Sequence, residues 1–468
     1  MNARHIRELN PVLARYKGPT YQYLTSMRDT YGDKTTLWMG PLPAVVLQTF
    51  DAIKEALVDN QHDFASRPRS LIEEAFLGEG TDIIFAEYSP KWASYKKLAS
   101  RALRSIISGE ALERQVHLAV SETVDDLLKK EHEESLVLLD YLANCVYNIL
   151  LGACFSTRLS VDDQEFITAL ELQQKFSSNV SVAAFVQMIP GIRNCPFIYQ
   201  RIPAIRQVIE CMTAQRKFVA RKFQECKNAY DQDNVTNITE AILREQDRME
   251  KEGEKVQLND HDASLILLDV FQAGIEATST TLQWFFLEMV VDPDLQERCY
   301  EQISREVGNN AVKLSDRPKL PLLEACIYET LRHHSLAIGI PHAPIKDAAP
   351  IGSYAVPKKS ALLINLHGAL HDRKLWKNPN KFDPENHFID PETGAVSKPL
   401  HWIPFGVGRR VCLGETLAKN DLFLVCAVLL QNLKFLKVPG YSYTLEPKEG
   451  VDFNIIPRSY PVKIERRN

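Results

Sequence analysis

No apolar stretch of about 18 residues or more occurs in this chain, so no segment reads as a transmembrane helix. The opening residues Met1-Asn-Ala-Arg-His-Ile-Arg7 are polar and lack the apolar centre of a secretory signal. The sequence as it stands is therefore not expected to cross a membrane. Cysteine pairs of the C-x-x-C kind are missing as well. The nine cysteines lie scattered from Cys145 to Cys426, which excludes a zinc site of that type or a disulfide framework and points to a reducing compartment. Positive charge is not in excess: 55 Lys and Arg stand against 60 Asp and Glu, a net charge of −5, so no global field for nucleic acid exists. No G-x-G-x-x-G follows a strand-like run, so no flavin or nicotinamide is bound by such a fingerprint. Gly/Ser tracts, Pro-rich runs and internal repeats are absent too. At 468 residues and 45% hydrophobic composition, the chain reads as one large domain over residues 1–468.

What is present begins with strand-like alternation over residues 34–50, two β-rich runs flanking Gly40-Pro41 that predict a hairpin. Helical periodicity dominates from Lys91 to Asn309. Short strands are expected again at Ile351–Val356 and Ala361–Leu366, followed by an irregular Pro/Asn-rich stretch from Trp376 to Trp402. Sequons occur at Asn179, Asn234 and Asn237, the last of which reads more simply as a helix cap. The fold class expected is mostly α with small β-sheets.

The most informative stretch is Phe405-Gly-Val-Gly-Arg-Arg-Val-Cys-Leu-Gly414, just ahead of an apolar helix over Leu417–Leu433. A thiolate at Cys412 needs a positive, backbone-rich pocket, and a helix N-terminus supplies such a field. Gly406, Gly408 and Gly414 let the backbone come close to a flat ligand, and Arg410 could neutralise an acidic group on it. The plainer reading is a buried free cysteine in a turn.

A second feature is the longest helical candidate, His261 to Val291, capped by Asn259 and Asp260 and stopped before Pro293. At 1.5 Å per residue it spans on the order of 45 Å, and its apolar residues on both faces predict a central buried helix. Its middle, Ala273-Gly-Ile-Glu-Ala-Thr-Ser-Thr280, carries glycine and polar side chains that cost stability in a core. Either a neighbouring helix packs closely at Gly274 with back-bonded Ser and Thr, or a cofactor lies in a groove there. Beside the cysteine loop the groove is the stronger reading. Third, Glu329 and Arg332 stand at i,i+3 in an otherwise apolar helix, where they can form a buried pair that needs further partners.

With its Phe-x-x-Gly-x-Arg-x-Cys-x-Gly spacing, the chain resembles the cytochrome P-450 superfamily from about Tyr31 to Arg466. The matching elements, in order, are Ala273-Gly274, Glu329-x-x-Arg332, Phe382-Asp-Pro-Glu-Asn-His-Phe388 and the cysteine loop. The stretches from Leu47 to Leu57, Asp63-Phe-Ala-Ser-Arg-Pro68 and Ile340-Pro-His342 are similar to the animal microsomal group, nearest the steroid 17-hydroxylases and the aryl-hydrocarbon and drug-metabolising members.

That resemblance implies a haem b cofactor between the long helix and the cysteine loop, and a monooxygenase that inserts one oxygen atom of dioxygen into a lipophilic substrate. Electrons would come from NADPH through NADPH-cytochrome reductase, with cytochrome b5 as a further candidate partner. It implies Cys412 as iron ligand and Phe405 as the shield of the sulfur. Trp92, Lys96, Arg410 and His342 would be haem propionate partners, Lys96 standing where an arginine is usual. Ala273, Gly274, Gly408 and Gly414 would line the cofactor. Glu329 and Arg332 would lock the loops beneath it, with His387 in the neighbourhood of the usual arginine. The location implied is the cytosolic face of the endoplasmic reticulum with peripheral membrane association, or the cytoplasm if no anchor exists. A basic face of Lys96, Lys97, Arg101, Arg104 and Lys419 would meet the reductase. The active-site roof would include Phe76, Ile84, Phe85, Val180, Val182, Leu336, Ile338 and Phe453, an apolar lining suited to a steroid, fatty acid or xenobiotic.

One departure touches chemistry. The family usually has an acid followed directly by threonine; here Glu276 is followed by Ala277, and Thr278 comes next, rotated by about 100° along the helix. Proton delivery is then expected to involve Glu276 and Thr278, waters or a substrate hydroxyl. Two alternatives to the monooxygenase stand beside it: a haem-thiolate isomerase or lyase acting on hydroperoxides without a reductase, and a non-catalytic haem-binding carrier or sensor.

Overall fold

The computed structural model describes residues 20–39, 42–68, 77, 80–107, 110–186, 192, 195–335, 340–448 and 455–467. Strands β1 (Lys34–Met39) and β2 (Leu42–Leu47) pair antiparallel, Lys34 opposite Leu47, as the alternation predicts. They join β3 (Ile340–His342) and a later strand in a four-stranded sheet. The expected run Ile351–Val356 is instead a hairpin of β4 (Ala349–Ile351) and β5 (Tyr354–Val356). The reason is Gly352, whose φ of +58° takes the left-handed turn that a continuous strand cannot contain. The following strand, β6 (Ala361–Ile364), stops short of Leu366 because Asn365 caps a short helix there, its side chain accepting from the Gly368 N–H. Sheet order is β1-β2-β6-β3, with β2 and β6 parallel.

Helices make the body. Those used below are α1 (Pro90–Ile107), α2 (Leu139–Phe155), α3 (Gln164–Val186), α4 (Ile238–Lys251), α5 (Asp260–Val291), α6 (Pro321–His333), α7 (Pro384–Phe388) and α8 (Glu415–Asn432). Asn237 caps α4 by accepting from the Glu240 N–H, as its sequence context predicts. α5 begins at Asn259, whose side chain accepts from the Asp262 N–H, and ends at Asp292, the residue before Pro293, where the helical conformation is disfavoured. It runs through the largest apolar cluster beside α2, α6 and α8. The stretch from Trp376 to Trp402 is largely irregular, as expected, but holds the single turn α7.

The central helix is buried on either side of an open middle, where the sequence places a groove. Residues 262–268 and 278–290 of α5 are buried, whereas Ala273 is exposed and Gln272 and residues 274–277 are half-buried. Polar and small side chains interrupt the apolar faces at that point, so the protein does not close over it.

Candidate haem site

Cys412 sits between a short turn at Gly408–Arg410 and the first turn of α8. Its backbone N–H donates to the Phe405 carbonyl at 3.0 Å, folding the loop back on itself. Gly408 permits that loop: its φ is +77°, and a Cβ there would stand 1.9 Å from the Leu57 carbonyl oxygen. At Gly406 and Gly414, by contrast, a Cβ would meet nothing within 4 Å. Phe405 packs against Trp402, ring centroids 5.9 Å apart, on the second apolar cluster. The Cys412 side chain is exposed, yet protein crowds it closely enough that burial pushes its thiol up. The backbone N–H groups of Gly414 and Glu415 and the ammonium of Lys96 work the other way and favour the thiolate.

Above the loop the sequence converges from four regions. Arg410 donates through Nε to the Ala65 carbonyl (2.7 Å) and through its terminal nitrogens to those of Ile83 (2.9 Å) and Ala86 (2.6 Å), with its guanidinium 3.8 Å over the Trp92 ring. Trp92 is buried and gives its indole N–H to the same Ile83 carbonyl at 3.0 Å. Lys96, one turn along α1, reaches the carbonyls of Arg409 and Val411. His342 donates from Nδ1 to the Phe64 carbonyl at 3.0 Å, and burial together with Arg67 holds its imidazole neutral.

Arg67 is the residue that sequence reasoning missed. It is 8% exposed and donates to the carbonyls of Ile84 (3.0 Å) and Pro341 (2.6 Å). The stretch Asp63-Phe-Ala-Ser-Arg-Pro68 was a signal of likeness, but nothing local in it says that Arg67 faces Lys96 and Arg410. Burial and the neighbouring guanidiniums push Lys96 down to about 8, and burial with Arg67 pushes Arg410 down to about 9. Among the described residues Asp82 is the carboxylate acting on Arg410, and it also accepts from the N–H groups of Phe85 and Ala86. Buried Arg67 and half-buried Lys96 and Arg410 thus gather three positive charges at one place, which suits a ligand bearing two carboxylates. Beside an exposed thiol and a glycine-lined loop, this donor set fits haem.

The loop that supplies those carbonyls is tied to the central helix. Asp269 accepts from the N–H groups of Ile83 (2.6 Å) and Ile84 (3.2 Å), and Asp262 accepts from Thr81 (2.9 Å), Tyr95 (2.8 Å) and Lys91 (2.9 Å). Cofactor partners on α1 and in the cysteine loop are therefore held at one remove by α5.

Within α5, Ala273 lies at the exposed centre. A Cβ on Gly274 would stand 2.9 Å from a methyl of Leu150, so this glycine accommodates close approach of α2. The helix-packing reading applies at Gly274, and the open stretch beside it belongs to its neighbours. Ser279 and Thr281 donate back to the carbonyls of Ile275 (2.6 Å) and Ala277 (2.8 Å). Glu276 accepts from Gln173 (2.8 Å) and Ser177 (3.4 Å) on α3, and Thr278 is buried.

Beneath the loop, Glu329 and Arg332 are both fully buried and form a two-pronged pair at 2.7 and 2.8 Å. Arg332 also donates to the carbonyls of Leu370, Pro379 and Lys381, and His387 of α7 meets Glu329 at 3.0 Å. His387 is thus the third partner. The proposed basic face is only partly assembled: Lys96 turns inward, Arg101 pairs with Glu245 at 3.5 Å and Lys419 with Glu415 at 3.0 Å, while Lys97 and Arg104 are exposed. Of the roof residues, Phe76, Leu336, Ile338 and Phe453 lie outside the described residues. Ile84 and Val180 are half-buried, and Phe85 and Val182 are exposed.

Comparisons with known proteins point to one family. The family model described as Cytochrome P450 matches residues 8–464. Cytochrome P450 1A1 of Sparus aurata is 32% identical over 446 residues, covering 92% of this chain and 84% of its own length. Cytochrome P450 1A1 of Canis lupus familiaris is 31% identical over 458 residues, covering 95% and 86%. A solved zebra fish cytochrome P450 with progesterone superposes at a TM-score of 0.83 and 27% identity, over 96% of this chain and 100% of that one. A second, with abiraterone, gives 0.80 at 28% identity with the same coverage. A likeness of this extent, in sequence and in fold, makes the chain a member of the cytochrome P450 family: a haem-thiolate monooxygenase whose electrons come from NAD(P)H through a reductase.

Proposed function

We propose that this enzyme oxygenates a lipophilic substrate of steroid size, fed by NADPH-cytochrome reductase at the cytosolic face of the endoplasmic reticulum, and that residues 1–468 act as one domain. The observation that carries the reading is the convergence of three cations, buried Arg67 and half-buried Lys96 and Arg410, beside the exposed Cys412. Cys412 would supply the thiolate that holds iron, and the bound haem would supply oxygen activation. Arg67, Lys96, Arg410 and His342 would neutralise and orient its propionates, and Phe405 would cover the sulfur from its place on Trp402. The exposed middle of α5 at Ala273 would lie against the ring.

Glu276 would hold a proton near the substrate, kept in place by Gln173 and Ser177, since Ala277 offers no hydroxyl. Partly open apolar side chains at Ile84, Phe85 and Val180 favour a lipophilic ligand, and two similar zebra fish structures hold progesterone and abiraterone. Among the described residues no helix is long and apolar enough to cross a membrane. Phe197 (66% exposed) and Ile198 (55%) offer apolar surface to a lipid face, which supports peripheral association. The test is turnover of a panel of steroids, fatty acids and lipid hydroperoxides with and without reductase and NADPH. Oxygenated product that requires reductase, NADPH and dioxygen supports the reading; conversion of hydroperoxides alone overturns it.

A further inference from the structure

A group of metal-ligating side chains stands on the core side of Arg332, where the site above makes no use of it. α6 ends at Arg332-His333 with His334 as its C-cap, and these imidazoles meet the C-terminal part of α5 at Glu288. Glu288 is 4% exposed and its Oε1 lies 2.7 Å from His334 Nε2. Ligating atoms of Glu288, His333 and His334 all lie within 4.8 Å of one another, the one such trio among the described residues. The His334 ring is fixed: it stacks on Trp284 with centroids 3.8 Å apart and an interplanar angle of 3°.

We infer that Glu288, His333 and His334 form a binding site for a divalent transition-metal ion of the zinc type, joining α5 to α6 behind the Glu329–Arg332 pair. Two imidazole nitrogens and one carboxylate oxygen are a zinc donor set that leaves a fourth position for water. Tetrahedral bonds of about 2.0–2.1 Å place ligand atoms roughly 3.3 Å apart, so the trio needs movements of about 1.5 Å or less. The exchange balances simply. Glu288 and His334 share one hydrogen across their contact; the ion replaces it and a proton leaves to water.

Arg332 is the cation closest to the trio, its NH2 nitrogen 3.2 Å from His333 Nδ1. That nitrogen has two hydrogens, and Glu329 Oε1 (2.8 Å) and the Lys381 carbonyl (3.2 Å) take them. The second hydrogen is thus shared between Lys381 and His333, a contact that His333 Nδ1 would exchange for the ion, and the guanidinium charge is matched by Glu329. No charged nitrogen of Lys or Arg pairs with Glu288 in any ion pair of the described residues; His334 alone does. A divalent cation supplies what that buried carboxyl lacks.

The test uses the haem-loaded full chain, stripped with a chelator and then given Zn²⁺ alone, with Mg²⁺ as control. One Zn²⁺ per haem retained through desalting, with a raised melting temperature and no such effect of Mg²⁺, is expected. Glu288→Gln and His334→Asn should each bind at least about 100-fold more weakly, since even removing a ligand's supporting partner costs 10–100-fold. Wild-type protein that retains no zinc, or variants that retain it equally, would overturn the proposal. Should a variant fail to fold, zinc-edge absorption of the wild type decides. Two imidazole nitrogens and a carboxylate oxygen at about 2.0–2.1 Å uphold the site, and a shell of water oxygens alone rejects it.

Discussion

Oε1 of Glu329 accepts from three donors at once: His387 Nδ1 at 3.0 Å, the Asp383 backbone N–H at 2.8 Å and Arg332 at 2.8 Å. One buried oxygen thus joins α6 to α7 and fixes the irregular stretch that leads into the cysteine loop. Removing either charged member leaves the other without its counter-charge in the core. Glu329→Ala or Arg332→Ala should cost roughly 3–5 kcal/mol and yield little haem-loaded protein. His387→Ala should cost less, about 1.5–3 kcal/mol for a hydrogen bond to a charged group. His387→Arg, which restores the family's usual residue, should recover most of that. Thermal melting and haem content per protein check all four.

The same network gives stability an acid limb. Burial raises Glu329, but the hydrogen bonds from Arg332 and His387 overcome it and hold the carboxyl at about 2, below its ordinary 4.5. A depressed folded value means that the contribution is fully present above the unfolded value and is lost as pH falls through the folded one. Denaturant midpoints should therefore drop between about pH 4.5 and pH 2. In Glu329→Gln the part of that slope due to this group should vanish.

Cys412→Ser should abolish the Soret band at about 450 nm of the reduced, carbon monoxide-bound protein, because thiolate ligation produces it. Wild-type protein that is folded and haem-loaded, yet lacks this band, would show that the cysteine loop does not ligate iron.

Reductase docking should depend on Lys97 and Arg104, the exposed basic residues of α1, rather than on Lys96, which faces the carbonyls of Arg409 and Val411. Lys97→Glu with Arg104→Glu should slow reductase-supported turnover at low salt and flatten its dependence on ionic strength, since screening already weakens such steering at about 0.15 M. Haem content should not change. Equal turnover of both proteins across the salt range would remove this face from the docking surface.

Ala277→Thr should raise product formed per NADPH consumed and lower hydrogen peroxide release. A placed proton donor is typically worth ~10²–10⁴-fold in rate, so even partial restoration is measurable. If the wild type is already tightly coupled and the variant less so, the proton route belongs to Glu276 as Gln173 and Ser177 hold it.

The parts legible in the sequence are those whose determinants are local. The cysteine loop is one: Phe405, Gly408, Arg410, Cys412 and Gly414 act within one turn and one helix start, so their spacing along the chain is nearly their spacing in the fold. Asn259 and Asn237 are legible as caps because each side chain bonds an N–H three residues on. Glu329 and Arg332 share a helix face by periodicity alone. The hairpin of Ile351–Val356 was obscured because β propensity does not register a single left-handed glycine.

Which face meets which partner was decided only in three dimensions. Periodicity puts Gly274 on a face of α5 but cannot say that Leu150 will occupy it, or that the protein stays open at Ala273. Glu276 finds Gln173 and Ser177 on a helix about a hundred residues earlier. Arg67 joins Lys96 and Arg410 from three separate stretches, and His387 reaches Glu329 across the irregular segment. Such contacts cross long loops whose closure is set by the packing of the whole core, and buried charge can be assigned a partner only after that packing brings the groups together.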